Sequence, residues 1–127
     1  PVDVGNPHGV VFCGDPAQAG LERLGPLLET HPALGERRNI EFVSLPDRER
    51  LMIRVWERGS GITLACGTGA CASFAAALRE NRCERRVEAV LPGGRLTLER
   101  RGDRLFMTGP ARTVFEGELP EPGKIKP

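Results

Sequence analysis

From Cys71 to Glu80 the chain reads CASFAAALRE, and this alanine-rich run is the strongest constraint on its fold. Side chains this small predict a helix that other elements can enclose. The run is entered through the glycine-rich turn Ala65-Cys66-Gly67-Thr68-Gly69-Ala70, and the stretches nearest it on either side, LMIRVWE and RVEAVL, have an apolar period of two rather than three to four. The helix is therefore flanked by strands.

Glycine and proline divide those flanks into short elements. His8 to Cys13 (HGVVFC) reads as a strand ended by Gly14-Asp15-Pro16. From Ala17 to Thr30, Leu21, Leu24, Leu27 and Leu28 recur at helical spacing, which predicts an amphipathic helix despite Pro26. IEFVSL from Ile40 and LMIRVWE from Leu51 read as two strands of a hairpin, turned by Asp47 to Arg50, and Arg58-Gly59-Ser60-Gly61 reads as a flexible stretch. After Asn81 the runs RVEAVL, RLTLERR, RLFMTG and ARTVFEGEL predict a four-stranded meander. The expected class is α+β, a curved mixed or antiparallel sheet wrapped around the alanine-rich helix. With 127 residues, one domain is expected over residues 1–119, followed by a tail over 120–127.

The 18 basic and 17 acidic side chains nearly cancel to +1, which removes the electrostatic footprint of a nucleic-acid binder. Sixteen of the basic residues are arginine; Lys124 and Lys126 lie in the tail. No apolar run is long enough to span a bilayer. Cys13, Cys66, Cys71 and Cys83 contain no zinc-type spacing, so no metal is expected, and reduced thiols in a cytoplasmic setting are.

Cys66 carries the chemistry. It precedes Gly67-Thr68-Gly69 at the expected helix start, where glycines admit close approach and free N–H groups favour an anion such as a carboxylate or phosphate. The same partial positive charge lowers a thiol's pKa, which suits a base or nucleophile. The position is equally that of a packing cysteine in a packing turn. Cys13, Cys71 and Cys83 read as packing thiols. The glycines fit neither a phosphate-binding loop, lacking the Lys-Ser/Thr, nor a dinucleotide fold, lacking the βαβ alternation. Asn6-Pro7-His8, Asn39 and Glu57-Arg58 stand at strand ends. Two amides, a carboxylate and a guanidinium around an anion site would suit a zwitterionic amino acid, although each also reads as a turn or surface residue.

The stretches VGNPHGVVF, RRNIEFV, VWERGSGITLACGTGACA, LPGGRLTLE and MTGPARTVFEGE, in that order, resemble the C-terminal half of the diaminopimelate epimerase family. The likeness runs from Asp3 to Leu119. It implies inversion at the α-carbon of diaminopimelate, LL to meso, on the route to lysine and peptidoglycan, by two cysteines and without pyridoxal phosphate or metal. One cysteine acts as thiolate base, the other as thiol acid on the opposite face.

By this resemblance Cys66 is one of the pair, Gly67 and Thr68 donate to the α-carboxylate, and Asn6, Asn39, Glu57 and Arg58 hold the substrate, mainly its distal end. His8 is implied as a support for the thiol. The second cysteine would lie in an N-terminal lobe outside this chain, so the chain alone is expected to be inactive; a homodimer is left open. Two positions depart from the family pattern: Gly9, where Cys is common, and Ile62, where Glu is common, the latter four residues before the thiol and so bearing on its surroundings. A proline or hydroxyproline type racemase and a non-catalytic ligand-binding module of the same fold are the alternatives.

Overall fold

The computed structural model describes residues 1–118. Its centre is the stretch Asn39–Asp47, a strand buried on both faces along Asn39 to Val43, as the nearly continuous apolar run IEFV requires. In chain order the elements are β1 (Val2–Asp3), β2 (Pro7–Phe12), α1 (Leu21–Glu29), a 3-10 turn (Pro32–Leu34), β3 (Asn39–Asp47), β4 (Arg50–Glu57), β5 (Gly61–Thr63), α2 (Gly67–Arg79), β6 (Arg86–Leu91), β7 (Gly94–Arg101) and β8 (Arg104–Thr108). The strands form one mixed sheet in the order β1-β2-β3-β4-β6-β7-β8, with β5 paired to β4. β2 runs parallel to β3 and β4 parallel to β6, so α1 and α2 are both crossovers between parallel strands, and the remaining pairs are antiparallel.

The two helices cover opposite faces. Successive strand residues point to alternate sides: Ile40 and Phe42 pack with Leu21, Leu24, Leu28 and Trp56 under α1, whereas Val43, Ile53, Val55, Val87 and Leu98 pack with Ala70, Phe74 and Ala77 of α2. α2 touches strands from β1 through to β8, so the sheet curls around it. Small residues at Ala70, Ala72, Ser73 and Ala77 let strand side chains close on the helix, all of them fully buried. On the outer face, a Cβ at Gly25 would stand 2.5 Å from the Trp56 ring, so glycine is what lets α1 lie on the indole.

Three expectations need correction. ARTVFEGEL was read as a fourth meander strand; among the described residues the meander has three strands, and residues 111–118 make no ladder, with Val114 90% and Phe115 84% exposed. Among the described residues its strand-like pattern pairs with no neighbouring strand. The Arg58–Gly61 stretch is a turn rather than a flexible connection: Ser60 N–H donates to the Glu57 carbonyl, Gly59 takes φ 81°, and the chain returns as β5 against β4. The first helix starts at Leu21, four residues after the expected start at Ala17, behind Gly20 in a left-handed conformation. It runs through Pro26. The residues expected as a tail, 120–127, lie outside the described residues, as do Lys124, Lys126 and Leu119.

Candidate active site

Cys66 is the N-cap residue of α2. Its extended backbone (φ −140°, ψ 112°) turns the side chain back over the first helical turn, where Sγ accepts from Gly69 N–H at 3.3 Å. Cysteine thus takes the place usually filled by Ser, Thr, Asp or Asn. The Thr68 hydroxyl lies 3.4 Å from the same sulfur. Gly67 and Thr68 occupy the first two helical positions, whose N–H groups point out of the helix start.

Strand alternation brings the polar residues to this end of the inner face. On β2, His8 shares the side of Val10 and Phe12, which pack on the α2 core; on β3, Asn39 and Glu41 share the side of Val43; on β4, Glu57 shares the side of Val55 and Ile53. The register places His8 opposite Asn39, and Ile40 opposite Trp56, which leaves Asn39 and Glu57 together at the sheet end. Asn6 joins the helix to the sheet, its Nδ2 donating to Thr68 Oγ1 at 3.4 Å. Glu57 accepts from the Thr63 hydroxyl at 2.6 Å. Asn39 Oδ1 accepts the Arg58 N–H at 2.9 Å, and the Arg58 guanidinium donates to the Arg37 carbonyl at 3.1 Å.

All eight residues singled out in the sequence therefore lie at one end of the fold, in two linked groups. His8 does not meet the thiol directly. It is fully buried, with Nδ1 2.7 Å from Glu41 Oε1 and Nε2 3.1 Å from Asn6 Oδ1. Glu41 is the residue that sequence reasoning missed. Its signal was available: a carboxylate in phase with the inward-facing Val43, inside a run otherwise apolar on both faces.

Ile62 stands opposite Trp56, so it points to the outer face, away from Cys66, and is 45% exposed. The departure at this position does not touch the thiol's surroundings. At Gly9 a Cβ would come within 2.9 Å of Ile40 Cδ1, so the isoleucine fills that space. All four cysteines are free, and burial pushes three of the thiols up: Cys13, Cys71, and Cys83 to about 11. Among the described residues no three His, Cys, Asp or Glu side chains converge as a metal ion would need, and no helix is long and apolar enough to cross a membrane. An open cavity of about 530 Å³ lined by Glu49, Glu84, Arg86, Glu88 and Thr97 lies at the far end of β4 from Glu57 and shares no residue with this cluster.

The profile of the family described as diaminopimelate epimerase matches residues 1–114. This chain belongs to the diaminopimelate epimerase family. The diaminopimelate epimerase of Microcystis aeruginosa is 51% identical over 121 residues, which are 94% of this chain and 43% of that protein. That of Desulfitobacterium hafniense is 50% identical with the same coverage, and that of Synechocystis sp. is 50% identical over 119 residues. The chain thus spans less than half the length of the relatives it matches. Two solved structures share its fold: a putative phenazine biosynthesis PhzC/PhzF protein from Clostridium difficile (TM-score 0.57, 18% identity, 78% of this chain and 36% of that one) and a PhzF family protein from Bacillus anthracis (0.58, 17%, 81% and 34%).

Proposed function

We propose that this diaminopimelate epimerase family chain is one lobe of an enzyme that interconverts LL- and meso-diaminopimelate, with Cys66 as one of its two acid/base thiols and the second thiol supplied by the part of the enzyme this chain does not span. The observation that carries this reading is the seat of the Cys66 sulfur, capping α2 with a backbone N–H and a hydroxyl within hydrogen-bond reach. Helix N-termini favour the thiolate.

One thiolate takes the α-proton from one face, and the opposing thiol returns a proton to the other; the reverse turnover exchanges their roles. An α-proton of an amino acid is a very weak acid. With no electron sink needed in this scheme, charge developing toward the carboxylate is met by the Gly67 and Thr68 N–H groups. Glu57 and Arg58 take the distal ammonium and carboxylate, with Asn39 and Asn6 beside them, so that binding energy remote from the reacting carbon serves the reaction. A substrate charged at both ends favours this reading over a proline-type racemase. Free thiols suit the cytoplasm, where we place the enzyme.

The test is α-deuterium incorporation from heavy water into LL-diaminopimelate. The full-length enzyme exchanges and epimerises, whereas residues 1–127 alone do neither. Turnover by this chain alone would refute the two-lobe assignment.

A further inference from the structure

One fully buried carboxyl has no role in the proposed reaction. Glu41 is fully buried beneath the start of α2, its Oε1 bonded to His8 and its Oε2 without a partner among the described residues. The fold makes room for it: a Cβ on Gly69 would stand 2.6 Å from Glu41 Oε1, so the helix start closes on the carboxyl only because residue 69 is glycine. Burying a carboxyl with one unmatched oxygen is costly. A group kept at that cost invites the question of what it positions.

We propose that Glu41 is a positioning residue for the Cys66 thiol, acting through the hydrogen-bonded series Glu41, His8, Asn6, Thr68, Cys66. This rests on the reading that Cys66 works as a thiolate. The direction of each bond follows from the donor inventory. Asn6 Oδ1 can only accept, so His8 Nε2 must carry a proton. Asn6 Nδ2 then donates to Thr68 Oγ1, which leaves the Thr68 O–H free to donate to Sγ, where Gly69 N–H also arrives. Every donor points toward the sulfur. The series therefore favours the form of Cys66 that accepts, the thiolate.

Glu41 fixes that direction at its origin. One proton lies between Oε1 and Nδ1 and the other on Nε2 as long as the pair carries two: a protonated carboxyl donates to Nδ1, and an ionised one accepts from a doubly protonated ring. Without the carboxyl, Nδ1 is free to take the single ring proton, Nε2 becomes an acceptor, and the Asn6 amide has to turn over. The amide would then present its oxygen to Thr68 and draw the hydroxyl proton away from the sulfur. Besides His8 from β2, the charged or titratable groups facing this pair and the thiol are Glu57 at the end of β4 and Cys71 on α2.

The experiment follows iodoacetamide alkylation of the Cys66 peptide by mass spectrometry against pH in the full-length protein, for wild type, Glu41→Met and Glu41→Gln. Methionine keeps the volume and removes the carboxyl that shares its proton with Nδ1; glutamine keeps a donor there, its amide N–H donating to Nδ1 and leaving the ring proton on Nε2. Expected are alkylation of Cys66 at pH 7 faster than that of an unstructured cysteine peptide in wild type, alkylation about tenfold slower than wild type in Glu41→Met, and a Glu41→Gln rate within about twofold of wild type. Fast wild-type alkylation left unmoved by Glu41→Met overturns the role of Glu41 alone. Wild-type alkylation no faster than the peptide's overturns the thiolate reading beneath it. Nitrogen-15 shifts of the His8 ring in the wild-type protein, assigned against His31→Gln, keep the test decisive if Glu41→Met does not fold: Nε2 protonated at pH 7 supports the series, and a bare Nε2 overturns it.

Discussion

The outer and inner faces of this sheet each bury one glutamate, and the two are treated in opposite ways. Glu29, the last residue of α1, accepts from Trp56 Nε1 at 2.7 Å and from Arg37 Nε at 2.8 Å, and Arg37 Nη2 reaches it as well. Both its oxygens are matched, and the Trp56 N–H, with the Arg37 pair behind it, holds its carboxyl below the usual glutamate range against the cost of burial. Glu41 on the inner face has a single partner, and burial pushes its carboxyl up in spite of the His8 hydrogen bond. The first arrangement anchors α1 and the Trp56 strand to each other. The second leaves an unmatched oxygen beneath the helix start that carries Cys66. Two helices of the same topological kind thus differ in what lies under them: α1 begins at Gly20 with no side-chain cap, while α2 begins at a cysteine with a polar series behind it. The lesson is that a helix N-terminus is common, and the buried polar groups feeding it are what distinguish a site.

The largest effect expected from that contrast is on catalysis. In the full-length enzyme, Cys66→Ala should lower α-deuterium exchange by about 10³-fold or more while leaving the thermal transition in place, because the change removes the thiol proposed as acid and base, which sits at a half-buried cap. Activity close to wild type would collapse the distinction between the two helix starts.

Next come the two glycines on which the helices close. Gly25→Ala drives a methyl into the Trp56 ring, a rigid body within the outer core, and should cost about 1–3 kcal/mol in denaturant unfolding. Gly69→Ala meets the end of the Glu41 side chain, so it should cost less stability than Gly25→Ala and slow alkylation of Cys66 more. The reverse ranking in both readouts would break the division into an anchoring face and a working face.

The smallest effect is the pH dependence, and the two carboxyls contribute with opposite signs. Glu29, depressed on folding, contributes stability that is present above its ordinary value near 4.5 and lost as pH falls through its lower folded value. Glu29→Gln should therefore destabilise at neutral pH, by about 1–3 kcal/mol for lost bonds to a charged acceptor, and less so in acid. Glu41, raised on folding, contributes stability that is present below 4.5 and lost as pH climbs through its higher folded value. Glu41→Gln should then be close to neutral in acid and relatively more favourable as pH rises. Unfolding free energies of both variants between pH 4 and 8 check this, and parallel pH profiles would contradict it.

Much of the site was legible because it is local. A cysteine followed by Gly-Thr-Gly before an alanine run is a cap and a first helical turn whatever surrounds it. The period of two along IEFV and MIRVWE states which residues share a side, and so puts Asn39 and Glu57 with the inward core. What was misread depends on neighbours distant in sequence. ARTVFEGEL alternates like a strand, but alternation only makes a strand where another strand offers its open edge. Ile62 stands four residues from the thiol in sequence and on the other face in space, because β5 turns back along β4.

By itself, then, the sequence determined the two helices and most of the strands, the thiol at the helix start, the polar residues at strand ends and the family. Only the tertiary structure decided that β2 and β4 lie parallel to β3 and β6, that Ile62 faces outward, and that Glu41 and His8 meet beneath α2. The reason is physical: hydrogen bonding and side-chain period act over a few residues, whereas the burial of a carboxyl depends on which helix is laid over it. His8 and Glu41 are 33 residues apart in the chain, and the glycine that lets α2 close over the carboxyl, Gly69, belongs to a helix that follows both.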